Sequence, residues 1–160
     1  MKSSFIFRKA KIKDLDNILN LNFELFKKEY REFDKSLSLN WTHRKGKKYF
    51  KNRIIKKDGF VEVIENRREI IGYLCGGIIR ALFYRKKVKY AELENMLIEE
   101  KFRNKGLGTK LTKDFIDWCK NNKVDYISAT ASAKNKSAIN FYKNLRFKEY
   151  NLTLERKLTK

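Results

Sequence analysis

The sequence has 160 residues, of which 42% are hydrophobic and 14% aromatic, and this composition excludes a disordered chain. Its 39 basic residues outnumber 19 acidic ones, giving a formal charge of +20. Because 28 of the basic residues are lysine and 11 are arginine, we interpret most of this charge as solvated surface. A nucleic-acid interface would depend more on arginine.

The first half of the chain predicts one strand followed by two helices. Residues 5–10 alternate between apolar and basic side chains, as in a short strand. After Asp14, apolar residues recur at helical spacing as far as Phe33. Residues 34–40 form a polar connector, and a basic second helix is expected over residues 42–56.

An antiparallel hairpin is expected next, followed by a third strand. Residues 59–65 and 69–79 alternate like strands, and a turn at residues 66–68 joins them. Gly76-Gly77 inside the second strand predicts a bulge or a closely packed position. The third strand is expected over residues 88–99.

The last third of the chain predicts helices and strands in alternation. A helix opens at Gly106 or Gly108 and stops at residues 121–123, and a strand follows over residues 124–130. A short helix begins at Asn135 or Ser137 and reaches Leu145, and residues 147–158 alternate like a final strand. We expect one α/β domain over residues 1–160.

The glycine turn between the third strand and the following helix predicts an anion site. Gly106 and Gly108 let a ligand approach the backbone, and the first N–H groups of the helix point at the same place. No Gly-x-x-x-x-Gly-Lys string occurs, which excludes a mononucleotide P-loop. Leu111 stands where the dinucleotide fingerprint needs a third glycine or alanine, so that site is disfavoured as well.

The remaining pattern, Arg103-x-x-Gly106-x-Gly108 beyond an apolar strand end, resembles the pyrophosphate-binding motif of the GNAT family of N-acetyltransferases. Residues 132–147, with Asn135, Phe-Tyr at 141–142 and a closing Phe147, are similar to the second cofactor motif of that family. Arg146 departs from the pattern, because the family usually has glycine before the phenylalanine. The resemblance covers essentially the whole chain. It implies a mixed, mostly antiparallel twisted sheet of six to seven strands flanked by about four helices.

The resemblance further implies acetyl-coenzyme A as the co-substrate. Its pyrophosphate is expected on backbone N–H groups of residues Arg103, Asn104, Lys105, Gly106, Leu107, Gly108 and Thr109. The pantetheine arm is expected along the strand formed by Met96, Leu97 and Ile98, with the oxyanion donor a backbone N–H near Leu97. Asn135 either lines the cofactor arm or merely caps its helix.

Three side chains are predicted to perform the acid–base chemistry. Tyr142 would be the general acid, since a phenol with an ordinary pKa of about 10 stays protonated at neutral pH and can meet a departing thiolate. Glu92 and Glu94 lie two residues apart on the third strand of the hairpin region, so they share one face, and either can take the amine proton through water. Both choices stay open at this point, as does a merely solvated strand face. No metal site is expected.

The acceptor is predicted only as an amine, either a small amine or polyamine or a protein amino group. The alternative is a non-catalytic basic domain of the same fold that binds nucleic acid or the ribosome.

Cys75 and Cys119 lack metal-ligand spacing and are expected to be buried thiols. With no signal-peptide core and no membrane-length apolar run, we expect a soluble cytoplasmic protein; a homodimer is a family-level expectation.

Overall fold

The computed structural model describes residues 4–81 and 84–158. Contacts divide the chain into two compact units, Met1–Thr130 and Ala131–Lys160. The first unit contains the sheet and three helices, and the second contains one helix and the segment that follows it. The prediction of a single domain stays a prediction.

The first unit has five strands in the order in which they occur along the chain. These are β1 (Phe5–Lys9), β2 (Gly59–Asn66), β3 (Glu69–Ile79), β4 (Tyr90–Ile98) and β5 (Tyr126–Ala129). The first four pair antiparallel, and β5 joins β4 in parallel. The β2–β3 hairpin closes through Arg67 and Arg68, both with positive φ, as a two-residue turn of this twist requires.

The helices of the first unit lie on opposite faces of this sheet. They are α1 (Leu15–Glu32), α2 (Lys47–Ile55) and α3 (Leu107–Asn121), with a 3₁₀ turn before α1 and a π-helical turn, Thr42–Gly46, before α2. Gly77 of β3 lies beneath Arg53 of α2, whereas its neighbour Gly76 lies beneath Phe115 of α3. Since successive strand residues point to opposite faces, α2 and α3 cover different sides of the sheet.

Each face has its own apolar core. Under α1 and α2, buried side chains of both helices pack on β2, β3 and β4, among them Ile18, Phe50, Val63, Tyr73 and Cys75. A buried polar chain crosses this core, because Thr42 donates to Asn22 at 2.9 Å and Asn22 donates to the Tyr73 hydroxyl at 2.9 Å. Under α3, Phe60 packs against Phe115 and Trp118. Cys75 and Cys119 are buried free thiols, as predicted.

The second unit contains α4 (Lys136–Asn144), and the residues after it contradict one prediction. Residues 147–158 form no strand. Their alternating apolar side chains are largely exposed, with Leu152 at 78% and Leu154 at 86%. Alternation by itself does not make a strand, because a strand also needs a neighbour to pair with. The described sheet therefore has five strands instead of six to seven.

Candidate active site

A β-bulge in β4 brings two polar side chains to the same face of the sheet. The register pairs Asn95 with Cys75 and Leu93 with Gly76, so Glu94 is an extra residue opposite β3. As a result, Glu94 and Asn95 both reach Tyr49 of α2. The prediction of a bulge or a closely packed position at Gly76-Gly77 is confirmed, because a Cβ on Gly76 would lie 2.5 Å from the Glu92 carbonyl and the facing strand bulges at this point.

The sheet opens at the same point. Strand β5 pairs with β4 only as far as Leu93. Beyond it, within the described residues, the β4 segment 95–98 pairs with β3 alone. The far edge of this segment is therefore open to an added strand-like ligand.

The ladder between β3 and β4 decides which N–H groups of that segment face the open edge. The N–H of Glu99 donates to Ile71 at 2.9 Å, and hydrogen-bonded pairs alternate along an antiparallel ladder. Leu97 therefore directs its N–H toward β3, and its side chain lies in the core at 8% exposure. Met96 and Ile98 direct theirs to the open edge. The donor expected near Leu97 stays a prediction, and the register narrows it to the N–H groups of Met96 and Ile98.

The glycine turn has the geometry of an anion site. Gly106 precedes α3 with φ of 74°, and Asn104 has φ of 61°. The first hydrogen bond into the helix runs from the Lys110 N–H to the Gly106 carbonyl at 3.0 Å. The N–H groups of Leu107, Gly108 and Thr109 therefore have no carbonyl inside the helix and lie at the positive end of its dipole.

Arg103, expected as the first residue of the pyrophosphate site, forms hydrogen bonds within the chain through both its backbone and its side chain. Its backbone N–H donates to the Glu100 carbonyl at 3.1 Å, and its side-chain Nε donates to the Ile98 carbonyl at 2.8 Å. Arg103 thus fastens the turn to the end of β4. The available backbone donors of the turn begin at Asn104, and Lys105 adds an exposed cation beside them.

Glu94 is held by two residues of α2. Its carboxylate accepts from Arg53 Nε at 2.9 Å, from a second guanidinium nitrogen of Arg53 and from the Tyr49 hydroxyl. The side chains of Glu94 and Arg53 are only 14% and 17% exposed. Burial, the adjacent Cys75 and Glu94 itself raise the pKa of Tyr49 well above its ordinary value, so Tyr49 stays a donor.

Glu92 lies on the same face in a different environment. It pairs with Gly77 of β3, is half-buried, and has no lysine or arginine in ion-pair contact among the described residues. Burial and then the charge of Glu94 raise the pKa of Glu92, while Arg53 and a hydrogen bond with Thr130 oppose the rise. Of the two predicted carboxylates, Glu92 is the one without a fixed cationic partner.

The second unit contains the other predicted residues. Asn135 caps α4, because its side-chain oxygen accepts from the Ala138 N–H at 3.1 Å. Tyr142 packs its ring against Phe141 and Phe147, with centroids 5.3 and 5.5 Å away. Arg146 adopts φ of 67°, the conformation for which the family pattern uses glycine.

Sequence reasoning missed three residues of this site: Tyr49, Arg53 and Asn95. Tyr49 and Arg53 are four residues apart on α2, so they share a helix face, and this spacing was the available signal. No local pattern connects them with β4, which lies about forty residues further along the chain.

Comparison with known proteins gives a family match and one curated relative. The model of the acetyltransferase (GNAT) family matches residues 16–147. An uncharacterized N-acetyltransferase of Methanocaldococcus jannaschii is 29% identical over 151 residues, which are 91% of this chain. The match covers 62% of that relative, so the chain spans about three fifths of its length.

Solved structures share the fold. A point mutant of the BH1408 protein from Bacillus halodurans superposes with a TM-score of 0.85 at 20% identity, covering 96% of this chain and 99% of the other. A transcriptional regulator from Bacillus halodurans C-125 has a TM-score of 0.73 at 22% identity, with coverage of 97% and 100%. Aminoglycoside N-acetyltransferase AAC(6')-Iy in complex with CoA has a TM-score of 0.74 at 14% identity, with coverage of 98% and 97%. The predicted fold is confirmed, with the strand count corrected to five.

The described residues lack two further features. None of their helices combines the length and apolar character that crossing a membrane requires. They contain no group of three or more His, Cys, Asp or Glu side chains placed to hold a metal ion.

Proposed function

The chain belongs to the GNAT family of acetyltransferases, and on this basis we propose that it transfers an acetyl group from acetyl-coenzyme A to a primary amine by direct attack. The observation that carries the proposal is the opening of the sheet at the β4 bulge, directly before the glycine turn at the head of α3. An open strand edge followed by free helix N–H groups suits a long ligand with a peptide-like arm and a pyrophosphate.

The residues fit coenzyme A. Backbone N–H groups from Asn104 to Thr109 would hold the pyrophosphate, with Lys105 as a nearby cation. Met96 and Ile98 would pair with the pantetheine arm, which supplies the acetyl thioester when bound. A structural neighbour in complex with CoA supports this assignment.

The reaction forms an N–C amide bond, breaks a C–S bond and moves one proton from the amine to the thiol sulfur. We assign the proton acceptor to Glu92, acting through water. Glu94 already accepts hydrogen bonds on both carboxylate oxygens, whereas Glu92 has no fixed cation, and burial raises the pKa of Glu92, which favours uptake of a proton.

Tyr142 is proposed as the general acid that returns a proton to the sulfur. This role follows from the family pattern at residues 135–147 and from the chemistry of a phenol. Asn135 caps α4 through its oxygen, and its amide nitrogen is proposed as a donor to the cofactor on the family pattern alone.

The acceptor amine is proposed to lie between the connector of residues 34–41, α2 and the Glu92 side of β4. Trp41 at the end of that connector packs on Tyr49 of α2, with ring centroids 5.5 Å apart, and Tyr49 in turn donates to Glu94 of β4. A small amine, a polyamine or a protein amino group all suit a cleft with one uncompensated carboxylate. Cytoplasmic location and a homodimer stay predictions.

The decisive experiment has two measurements on the same preparation. Coenzyme A at millimolar concentration should raise the melting temperature, because a ligand that binds only the folded state stabilises it. Thiol release should then be followed with a panel of small amines, polyamines and peptide N-termini. No thermal shift and no thiol release would sink the proposal. Salt-dependent retention on an oligonucleotide, without any effect of coenzyme A, would favour the non-catalytic alternative.

Tyr142→Phe tests the acid separately. We expect turnover to fall by about 10²-fold or more while the thermal shift with coenzyme A is kept, since only the proton donor is lost. Tyr150→Phe, at an exposed tyrosine of the same unit, is the matched control. An unchanged rate in Tyr142→Phe would remove Tyr142 as the acid.

A further inference from the structure

Arg53 reaches the β4 bulge by crossing β3 at a glycine. A Cβ built on Gly77 would lie 2.6 Å from a terminal guanidinium nitrogen of Arg53 and 2.5 Å from the Asp58 carbonyl. Only a residue without a side chain leaves room for the guanidinium at this point. The glycine on β3 therefore makes it possible for a residue of α2 to bind a carboxylate on β4.

The contacts around Glu94 form a closed network. Arg53 donates two hydrogen bonds to the carboxylate and Tyr49 donates a third. The Tyr49 oxygen accepts in turn from the Asn95 side chain at 3.3 Å, and the Cys75 thiol lies 3.6 Å from it. A bidentate arginine–carboxylate pair fixes both position and orientation.

We propose that Arg53 is a positioning residue for the transfer reaction: it holds Glu94 against the β4 bulge as an unreactive anion and so leaves Glu92 to take the amine proton. This inference rests on the proposed function. Neither Arg53 nor Glu94 is a catalytic residue in this scheme, because both act on the reaction through Glu92.

The charges around Glu92 give the inference a distinctive signature. The groups that face it are Glu94 from its own strand, Arg53 from α2 and Thr130 after β5, with Tyr49 and Cys75 behind Glu94. Besides burial, Glu94 raises the pKa of Glu92 and Arg53 lowers it. Removing one or the other should therefore move the activity profile in opposite directions.

The test is the pH dependence of kcat/KM in full-length variants. The acid limb of the profile is the rise of kcat/KM with pH as the proton acceptor loses its proton. In Arg53→Met this limb should move up by about one pH unit, because Glu92 and Glu94 then lie together without a compensating cation. In Glu94→Gln the acid limb of the kcat/KM profile should move down by a similar amount, with a smaller loss of turnover than in Glu92→Gln. In the double variant Arg53→Met/Glu94→Gln, the acid limb should return toward its wild-type pH. Arg53→Lys should restore part of the profile, because it keeps the charge but not the bidentate geometry.

Lys51→Met, an equal loss of charge at an exposed position of α2, is the matched control and should leave the profile unchanged. Loss of turnover in Glu94→Gln comparable with that in Glu92→Gln would make Glu94 the base and overturn the proposal. An acid limb at the wild-type pH in both Arg53→Met and Glu94→Gln would overturn the proposal as well. If Arg53→Met does not fold, the shift of the acid limb in Glu94→Gln decides by itself whether the proposal holds. Absence of any thiol release in wild type would instead count against the proposed function.

Discussion

Two carboxyl groups with little solvent exposure lie on opposite faces of the same sheet, and their hydrogen-bond partners differ. Glu94, on the α2 face, accepts from Arg53 and Tyr49. Glu62, on the α3 face at 8% exposure, has one oxygen without a hydrogen-bond partner in the described chain. Burial, and then the charge of Asp114, raise the pKa of Glu62 to about 7, against a smaller opposing effect of Lys110.

The difference shows that the partner, more than the depth of burial, decides what a buried carboxyl group does. Arg53 and Tyr49 fix the Glu94 carboxylate in place, so it organises the polar site at the bulge. Without a bound cation, Glu62 takes up a proton near neutral pH, and its burial becomes a source of pH-dependent stability.

The largest effect is expected when the well-paired carboxylate is removed. Glu94→Leu leaves the Arg53 guanidinium largely buried without its anion and deprives the Tyr49 hydroxyl of its acceptor. The free energy of unfolding should fall by roughly 3–5 kcal/mol, as is typical when one partner of a buried pair is lost. Urea denaturation at pH 7 measures it.

The double variant Arg53→Met/Glu94→Leu is the control for that loss. It leaves no unpaired charge, so most of the stability should return. A cost below about 1 kcal/mol for the single variant would show that the pair is worth no more than an exposed ion pair.

The next effect concerns the poorly paired carboxyl group and depends on pH. Because the folded-state pKa of Glu62 lies above its ordinary value of 4.5, the folded protein keeps a proton that the unfolded chain releases. The raised pKa has no effect on the free energy of unfolding below pH 4.5. As the pH rises from there to about 7, it lowers the free energy of unfolding by up to roughly 3 kcal/mol. Glu62→Gln should remove this loss and be the more stable protein at pH 8.

Denaturation of both proteins at pH 5, 6, 7 and 8 measures the difference between them. Glu100→Gln, at an exposed position before α3, should behave like wild type throughout. A constant difference between Glu62→Gln and wild type across this range would show that Glu62 ionises normally, and the contrast between the two faces would be lost.

The smallest effect is expected in the second unit, where one residue has a strained backbone conformation. Arg146 has φ of 67°, where a residue with a Cβ is strained. Arg146→Gly should stabilise the protein by about 1 kcal/mol, measured by urea denaturation. Arg156→Gly, in a segment without regular structure, should give no such gain. A loss of stability in Arg146→Gly would mean that the arginine side chain contributes more than its backbone costs.

Most of the fold was predictable because its signals are local. Apolar periodicity located all four main helices and the hairpin to within a few residues, since each helix or strand must bury one face. The motif around Gly106 and the pattern at residues 135–147 then indicated the family. The strand expected over residues 147–158 was wrong because periodicity shows only that a segment can pair, and pairing depends on a partner elsewhere.

The candidate site was predictable in its residue types and only partly in its arrangement. The sequence by itself determined the glycine turn, its position before α3, and two glutamates two residues apart on one strand, because backbone conformation and strand alternation follow from neighbouring residues. The tertiary structure decided which glutamate is bound by Arg53, which N–H groups face the open edge, and that Asn95 joins Glu94 on one face. Each of these depends on strand register or on contacts between residues far apart in the chain, and a β-bulge changes the alternation that a sequence reading assumes.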